Sequence, residues 1–153
     1  MGIFSRIFGG HDGTRADPVL GRLTRRGDEW SGQGHWADGG PPFALTVYRQ
    51  AGPPDEADRA LFLQLGRDYP ALRPDLQACL ADLWRAHRAS AETEAPDFAN
   101  ALALWQCLSL QGVGLHADGH AQLVFGFVAE AHPAGAFLIA VRGRQVEPVE
   151  YVA

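Results

Sequence analysis

The chain has 153 residues, of which 46% are hydrophobic, and it carries a formal net charge of -5. This length and apolar content predict one domain with a core that needs neither a metal nor disulfides for stability. The acidic balance argues against a general nucleic-acid binder, which needs a dense basic surface, and it favours a basic partner over an acidic one.

The sequence shows no disulfide framework and no cofactor motif. Cys79 and Cys107 lie in separate segments without the spacing of a metal-binding or redox motif. We therefore expect a reducing compartment and a cytoplasmic location, because small secreted domains are rich in disulfides. Gly32, Gly34 and Gly39 precede no predicted helix whose N terminus could hold a phosphate, so no cofactor is expected.

The first 18 residues are predicted to lie outside the folded domain. Residues 1–8 (MGIFSRIF) form an apolar leader, in which one short helical face carries Ile3, Phe4, Ile7 and Phe8. The leader could dock on the domain, remain disordered, or touch a membrane as in a membrane-associated accessory protein. Residues 9–18 have the glycine, aspartate and proline content of a flexible linker, which leaves 19–153 as the single domain.

Three strands are predicted next, from the alternation of apolar and polar residues over 19–24, 30–36 and 43–48. In the second strand, Trp30 and Trp36 share one face, with glycines between them. Tryptophans in this arrangement are either buried in the core or half exposed as anchors of a binding surface. Both interpretations remain open at this point.

Two central helices are predicted, over residues 55–67 and 74–87, from leucines at helical spacing. Pro70 is expected to end the first helix, whereas Pro74 is tolerated in the first turn of the second. The first helix begins with carboxylates that could contact a basic partner: Asp55, Glu56 and Asp58.

The C-terminal third is predicted to be a meander of strands. Asp97 is expected to cap a short helical stretch through Leu104. An Asp118-Gly119 turn gives the clearest hairpin signal among the strands predicted over 108–116, 120–128, 137–142 and 145–152. The whole order predicts an α+β fold, mainly an antiparallel sheet with the two central helices packed on one face.

Histidines in this last third are the candidates for chemistry. His116 and His120 flank a three-residue turn, so they should face each other across adjacent strands, where two imidazoles can share a metal ion or simply end the strands. Glu130 and His132 lie in the next loop, as an acid and an imidazole on the same side. Together the four predict, as an alternative function, a small metal-dependent hydrolase, although no serine lies in a nucleophile motif.

The sequence contains, in this order, the segments LGRLTRRGDEWSG, FALTVY, LRPDLQACLADLWRAH and AEAHPAGAFLIAV. This order of segments resembles that of uncharacterised bacterial α+β domains found near polymorphic toxins. The resemblance covers residues 19–152 and places Glu130 and His132 at matching positions. It implies an immunity-type role, in which the domain neutralises a toxin partner.

We therefore predict a non-catalytic protein-binding domain, with a basic toxin domain as its partner. The hydrolase and the membrane-associated accessory protein are the alternatives. The candidate metal ligands are His116 and His120, and the candidate binding residues are Trp30, Trp36, Asp55, Glu56, Asp58, Glu130 and His132.

Overall fold

The computed structural model describes residues 13–91, 95–128 and 134–153. These residues form eight strands and two helices. In chain order they are β1 (Thr14–Asp17), β2 (Gly21–Arg26), β3 (Glu29–Gly34), β4 (Phe43–Tyr48), α1 (Glu56–Ser90), α2 (Ala101–Gln106), β5 (Leu108–His116), β6 (Ala121–Phe127), β7 (Ala136–Arg142) and β8 (Gln145–Val152).

All eight described strands belong to one sheet, in which they lie in sequence order from β1 to β8. Within the described chain, β4 and β5 are the one neighbouring pair that runs parallel, and the other six pairs are antiparallel. The predicted α+β class and mainly antiparallel sheet are confirmed. The parallel pair was not predicted, and it arises because the helices carry the chain from the end of β4 back to the start of β5.

The two faces of the sheet differ, as the alternation in β4 shows. Phe43, Leu45 and Val47 are buried on the covered face, while Ala44 and Tyr48 on the open face are exposed. On the covered face, Trp84 of α1 packs against aromatic rings from three different strands: Phe127, Phe137 and Tyr151. The hydrophobic core therefore lies between α1 and one face of the sheet.

One continuous helix replaces the two central helices that were predicted. α1 runs through both Pro70 and Pro74, although each proline lacks the N–H that would bond to the preceding turn. Both prolines lie on the exposed side, where water can bond to the carbonyl groups that they leave free. The apolar stripe continues underneath through Leu65, Tyr69 and Leu72, so packing on the sheet outweighs the proline penalty.

The predicted linker over residues 9–18 is wrong for its second half, because Thr14–Asp17 forms β1 and pairs with β2. Asp17 is buried; it accepts hydrogen bonds from the N–H groups of Val19 and Leu20 at 2.9 Å and forms an ion pair with Arg59 at 2.9 Å. Burial opposes its ionisation, but these bonds hold the pKa of Asp17 below its usual value. The ion pair of the buried Asp17 carboxylate thus links β1 to α1. The alternation of apolar residues in the sequence does not reveal this link.

The short helix α2 begins later than predicted. Its cap is Asn100, whose side chain accepts a hydrogen bond from the N–H of Ala103 at 2.9 Å. Asp97, the predicted cap, instead pairs with Arg88 of α1 at 2.5 Å. The prediction chose the wrong cap because Asp97 and Asn100 are equally suited by residue type to cap a helix.

The predicted apolar leader lies outside the described residues. Among the helices that the structure describes, none combines the length and the apolar content needed to cross a membrane. The docking and membrane interpretations of the leader both stay predictions.

Candidate functional site

A row of side chains crosses the open face of the sheet at the end where β4 and β5 both terminate. The strand registers pair Glu29 with Tyr48 and Tyr48 with His116. The N–H of His116 donates to the carbonyl of His120 at 3.0 Å, which places His120 next in the row. Arg142 follows on β7, since Ala121 pairs with Val141. We call these five residues the histidine row.

The three rings of the histidine row are stacked. Tyr48 and His116 have centroids 4.5 Å apart and planes 20° apart, and His116 and His120 have centroids 4.0 Å apart and planes 9° apart. Gly114 lies beneath them, because a Cβ at this position would come within 3.0 Å of Cε2 of Tyr48. The absence of a side chain at Gly114 therefore lets Tyr48 lie flat against His116. Tyr48 remains 38% exposed.

Asp118 contacts the last two residues of the row, His120 and Arg142. Its carboxylate lies 2.5 Å from Nδ1 of His120 and accepts a hydrogen bond from Nη2 of Arg142 at 3.1 Å. These contacts, the one with His120 first, hold the pKa of Asp118 well below its usual range. The carboxylate therefore stays charged and fixes the orientation of the His120 ring, which is the way carboxylates usually orient imidazoles.

His116 has the opposite electrostatic situation. Burial lowers the pKa of His116 below its usual value, and the neighbouring His120 lowers it further. Nε2 of His116 is buried and has no hydrogen-bond partner within the described part of the chain. At neutral pH His116 is therefore an uncharged ring in the middle of the stack.

The three rings of the histidine row line an open cleft of about 630 Å³. The segment that follows β4 and the turn between β2 and β3 also contribute to the lining. The residues that line the cleft are Asp28, Tyr48, Arg49, Gln50, Ala51, His116, Ala117, Asp118 and His120.

The start of α1 holds Arg49, one of the residues that line this cleft. Asp55 caps the helix by accepting hydrogen bonds from the N–H groups of Ala57 and Asp58, at 3.0 and 3.2 Å. Asp58 in turn accepts from the N–H of Asp55 at 2.8 Å and from Nε of Arg49 at 2.7 Å. Arg49 also bonds to Asp55. The predicted acidic patch is therefore largely neutralised from within the chain.

Two of the three acidic residues predicted to contact a partner are thus bonded within the fold and are not free charges. Asp58 is buried, with 3% of its side chain exposed, and Asp55 is engaged with the helix and with Arg49. Glu56 is 90% exposed and pairs only with Arg59, at 3.2 Å, among the residues described. Of the three, Glu56 has the most exposed side chain.

Trp30 is buried in the core, with 7% of its surface exposed. Its Nε1 donates a hydrogen bond to the carbonyl of Gly52 at 3.1 Å, and the N–H of Arg49 donates to the carbonyl of Asp28 at 2.8 Å. These bonds fix the segment between β4 and α1. Trp30 therefore supports the loop that follows β4 and is not an exposed anchor.

Trp36 is also in the core, with 9% exposed, and its ring contacts Phe43, Phe62 and Tyr69 at centroid distances of 4.7 to 5.4 Å. One side of it borders a second cavity of about 560 Å³, which we call the apolar groove. The groove lies between α1 and the end of β3, far from the histidine row. It is lined by Pro18, Val19, His35, Trp36, Ala37, Asp38, Phe62, Leu63, Gly66, Arg67 and Pro70.

The candidate metal site does not have the geometry of a chelate. The rings of His116 and His120 face each other, as the turn length predicted, but the nitrogen lone pairs of stacked rings lie in two nearly parallel planes, which do not converge on one ion. Within the described residues, no group of three or more His, Cys, Asp or Glu side chains could hold a metal ion. Glu130 and His132 lie outside the described residues.

Sequence reasoning missed five residues of the site: Glu29, Tyr48, Arg49, Asp118 and Arg142. Tyr48 and Arg142 join the row only through strand pairings that link distant parts of the chain. Asp118 carried a local signal, because an aspartate two residues before His120 can accept from its backbone N–H, which it does at 3.3 Å.

Comparison with known proteins gave no match to any protein-family model, to any curated protein or to any solved structure.

Proposed function

We propose that this chain is a non-catalytic protein-binding domain that contacts its partner with the histidine row and the adjoining cleft. The observation that carries the proposal is the pre-stacked set of Tyr48, His116 and His120, fixed beside Asp118 and Arg142. Ordered rings lose little conformational entropy on binding, and tyrosine and arginine are enriched among residues that dominate interface energies.

The lining of the cleft supports binding over covalent catalysis. It contains acids, bases and amides, but no serine, threonine or cysteine is among the described residues that line it. The imidazole of His120 and the guanidinium of Arg142 are both directed to Asp118, so these groups hold one another in place. Such an arrangement suits a rigid surface for recognition.

The charges at the other end of the row support a basic partner. Asp28 and Glu29 lie beside Tyr48 and form no ion pair within the described part of the chain, and burial together with the Glu29 charge raises the pKa of Tyr48. An arginine or lysine of a partner could contact the exposed ring of Tyr48 and these carboxylates together. The net charge of -5 adds long-range attraction.

The specific form of this proposal is an immunity protein that acts in the cytoplasm and neutralises a basic toxin domain. The direct test is to measure the affinity between the full chain and the product of the neighbouring gene by calorimetry. Tyr48→Ala and His120→Ala should each weaken that affinity by about tenfold or more, because they remove stacked rings from the contact.

Leu102→Ala provides the matched control, because Leu102 is 52% exposed on α2 and does not line the cleft. Equal affinities for Tyr48→Ala and the unaltered chain would show that the row is not the contact surface. Failure to bind the neighbouring product, together with no protection of cells against it, would reject the immunity form.

A second candidate is the small metal-dependent hydrolase, favoured by the orientation of His120 by Asp118 in an open cleft. It would use His116 and His120 with Glu130 and His132. Calorimetric titration with zinc tests it: micromolar or tighter binding that His120→Ala abolishes would support it, and weaker binding would reject it.

A further inference from the structure

The apolar groove is an exposed hydrophobic feature on the helix side of the fold. Leu63, 48% exposed, lines it together with Phe62 and Trp36. Nothing within the described residues covers it. Two charged residues line it: Asp38, which is exposed and forms no ion pair with any described residue, and Arg67, which is also exposed. A groove with an apolar floor and charged rim is the usual form of a docking site for an amphipathic segment.

The chain itself contains a segment of matching chemistry. Residues 1–8 present Ile3, Phe4, Ile7 and Phe8 on one helical face, with Arg6 as the single cation among them. These apolar side chains need a surface to cover them, and the groove has an apolar surface without a cover. Arg6 complements the free carboxylate of Asp38.

The leader can reach the groove. The carbonyl of Gly13 accepts from the N–H of Arg25, so residue 13 sits at one end of β1, while Pro18 at the other end lines the groove. β1 spans about 13 Å, and the five residues from Phe8 to Gly13 span up to about 17 Å. β1 has no neighbour but β2 within the described sheet, so the chain can return along its free edge.

We infer that the leader folds back into the apolar groove of its own chain, with its four apolar side chains against Val19, Trp36 and Leu63. The contact covers the exposed floor of the groove and places Arg6 near Asp38. It lies away from the histidine row and does not depend on the proposed partner.

The isoleucines of the chain provide a direct test. There are three of them, Ile3 and Ile7 in the leader and Ile139 in the core, where it is fully buried. A sample labelled at the isoleucine δ1 methyl groups therefore gives two leader signals and one internal reference. The inference expects nuclear Overhauser effects between the Ile3 or Ile7 methyl and protons of Trp36 or Leu63 in the intact, isolated chain.

Leu63→Asp places a charge on the groove floor and should abolish those Overhauser effects, while the exposed Leu102→Asp on α2 should leave them unchanged. The Ile139 signal reports in each variant whether the core remains folded, and Phe8→Asp provides the same test from the side of the leader. The inference is supported if the Overhauser effects disappear in both Leu63→Asp and Phe8→Asp while the Ile139 signal keeps its position.

Three results would overturn it. The first is a pair of narrow leader methyl signals that show no Overhauser effect to the groove in the isolated chain. The second is a set of Overhauser effects that persists in Leu63→Asp. The third is a set that appears only after phosphatidylcholine and phosphatidylglycerol vesicles are added, which would assign the leader to a membrane surface instead.

Discussion

The imidazole rings of His116 and His120 stack face to face, with 4.0 Å between their centroids and 9° between their planes. Two charged rings at this separation would repel each other, so the arrangement favours at least one neutral ring. Burial makes His116 the neutral one. This relationship links the conformation of the row to the pH of the solution.

The stability of the domain should fall as the pH drops below the pKa of an ordinary histidine. An unfolded chain protonates His116 near pH 6.5, whereas the folded chain resists protonation because the pKa of His116 is lowered. As the pH falls, the unfolded state therefore takes up the proton first. This protonation stabilises the unfolded state relative to the folded state, by an amount that grows until the pH passes the lowered pKa of His116 in the folded chain. Urea unfolding at pH 8 down to pH 5 measures this loss.

His116→Gln should remove that part of the pH dependence, while His35→Gln, at an exposed position, should retain it. If the unfolding free energy of His116→Gln followed the same pH curve as that of the unaltered chain, the lowered pKa of His116 would not be its cause.

Asp58 and Glu56 should differ sharply in their contribution to stability. Asp58→Ala should cost about 3 kcal/mol, because it leaves Arg49 without its buried partner and removes the bond to the N–H of Asp55. Glu56→Ala should cost less than about 0.5 kcal/mol, since its ion pair with Arg59 is exposed. Denaturant unfolding of both variants gives the comparison, and similar costs would contradict the role of Asp58 as the buried partner of Arg49.

Gly114 and Gly112 provide a matched pair within β5. An alanine Cβ at Gly114 would lie 3.0 Å from Tyr48, whereas one at Gly112 would meet Val124 at an ordinary 3.5 Å. Gly114→Ala should therefore be less stable than Gly112→Ala by about 1 kcal/mol. It should also shift the NMR signals of the His116 ring, which Gly112→Ala should leave unchanged. Equal effects would show that the ring stack does not depend on Gly114.

Pro74→Ala should stabilise the domain by about 1–2 kcal/mol, because the restored N–H donor within α1 outweighs the entropy that the unfolded chain regains. Pro53→Ala, in the loop before the helix, should instead lose up to about 1 kcal/mol. Thermal unfolding of the two variants distinguishes these signs. A loss of stability for Pro74→Ala would indicate that the packing of α1 requires the proline.

The parts of the fold that local patterns determine could be predicted from the sequence. The observed bounds of β4, β5 and β8 are the predicted ones. His116 and His120 face each other, as the length of the turn between them predicted. The continuous α1 was missed because the penalty of Pro70 is local, while the packing that outweighs it depends on the sheet. Tyr69 at helical spacing between Leu65 and Leu72 was the available signal.

Other features depend on interactions between distant segments, and no local pattern contains them. β1 is polar in sequence, and the bond from Arg59 to Asp17 explains its place in the sheet. The pairing of Tyr48 with His116 joins two strands separated by both helices. Local patterns do not decide between core and surface for Trp30 and Trp36, because their burial depends on the positions of α1 and of the loop at Gly52.

The parallel pairing of β4 with β5 also bears on how the chain folds. Strands β1 to β4 and strands β5 to β8 are two meanders whose own pairings form between near neighbours, with small losses of loop entropy. The β4–β5 pairing must close a loop that includes all of α1 and α2, so we expect it to limit the folding rate. The histidine row takes residues from both meanders, and its cleft therefore exists only after this last, slowest joining.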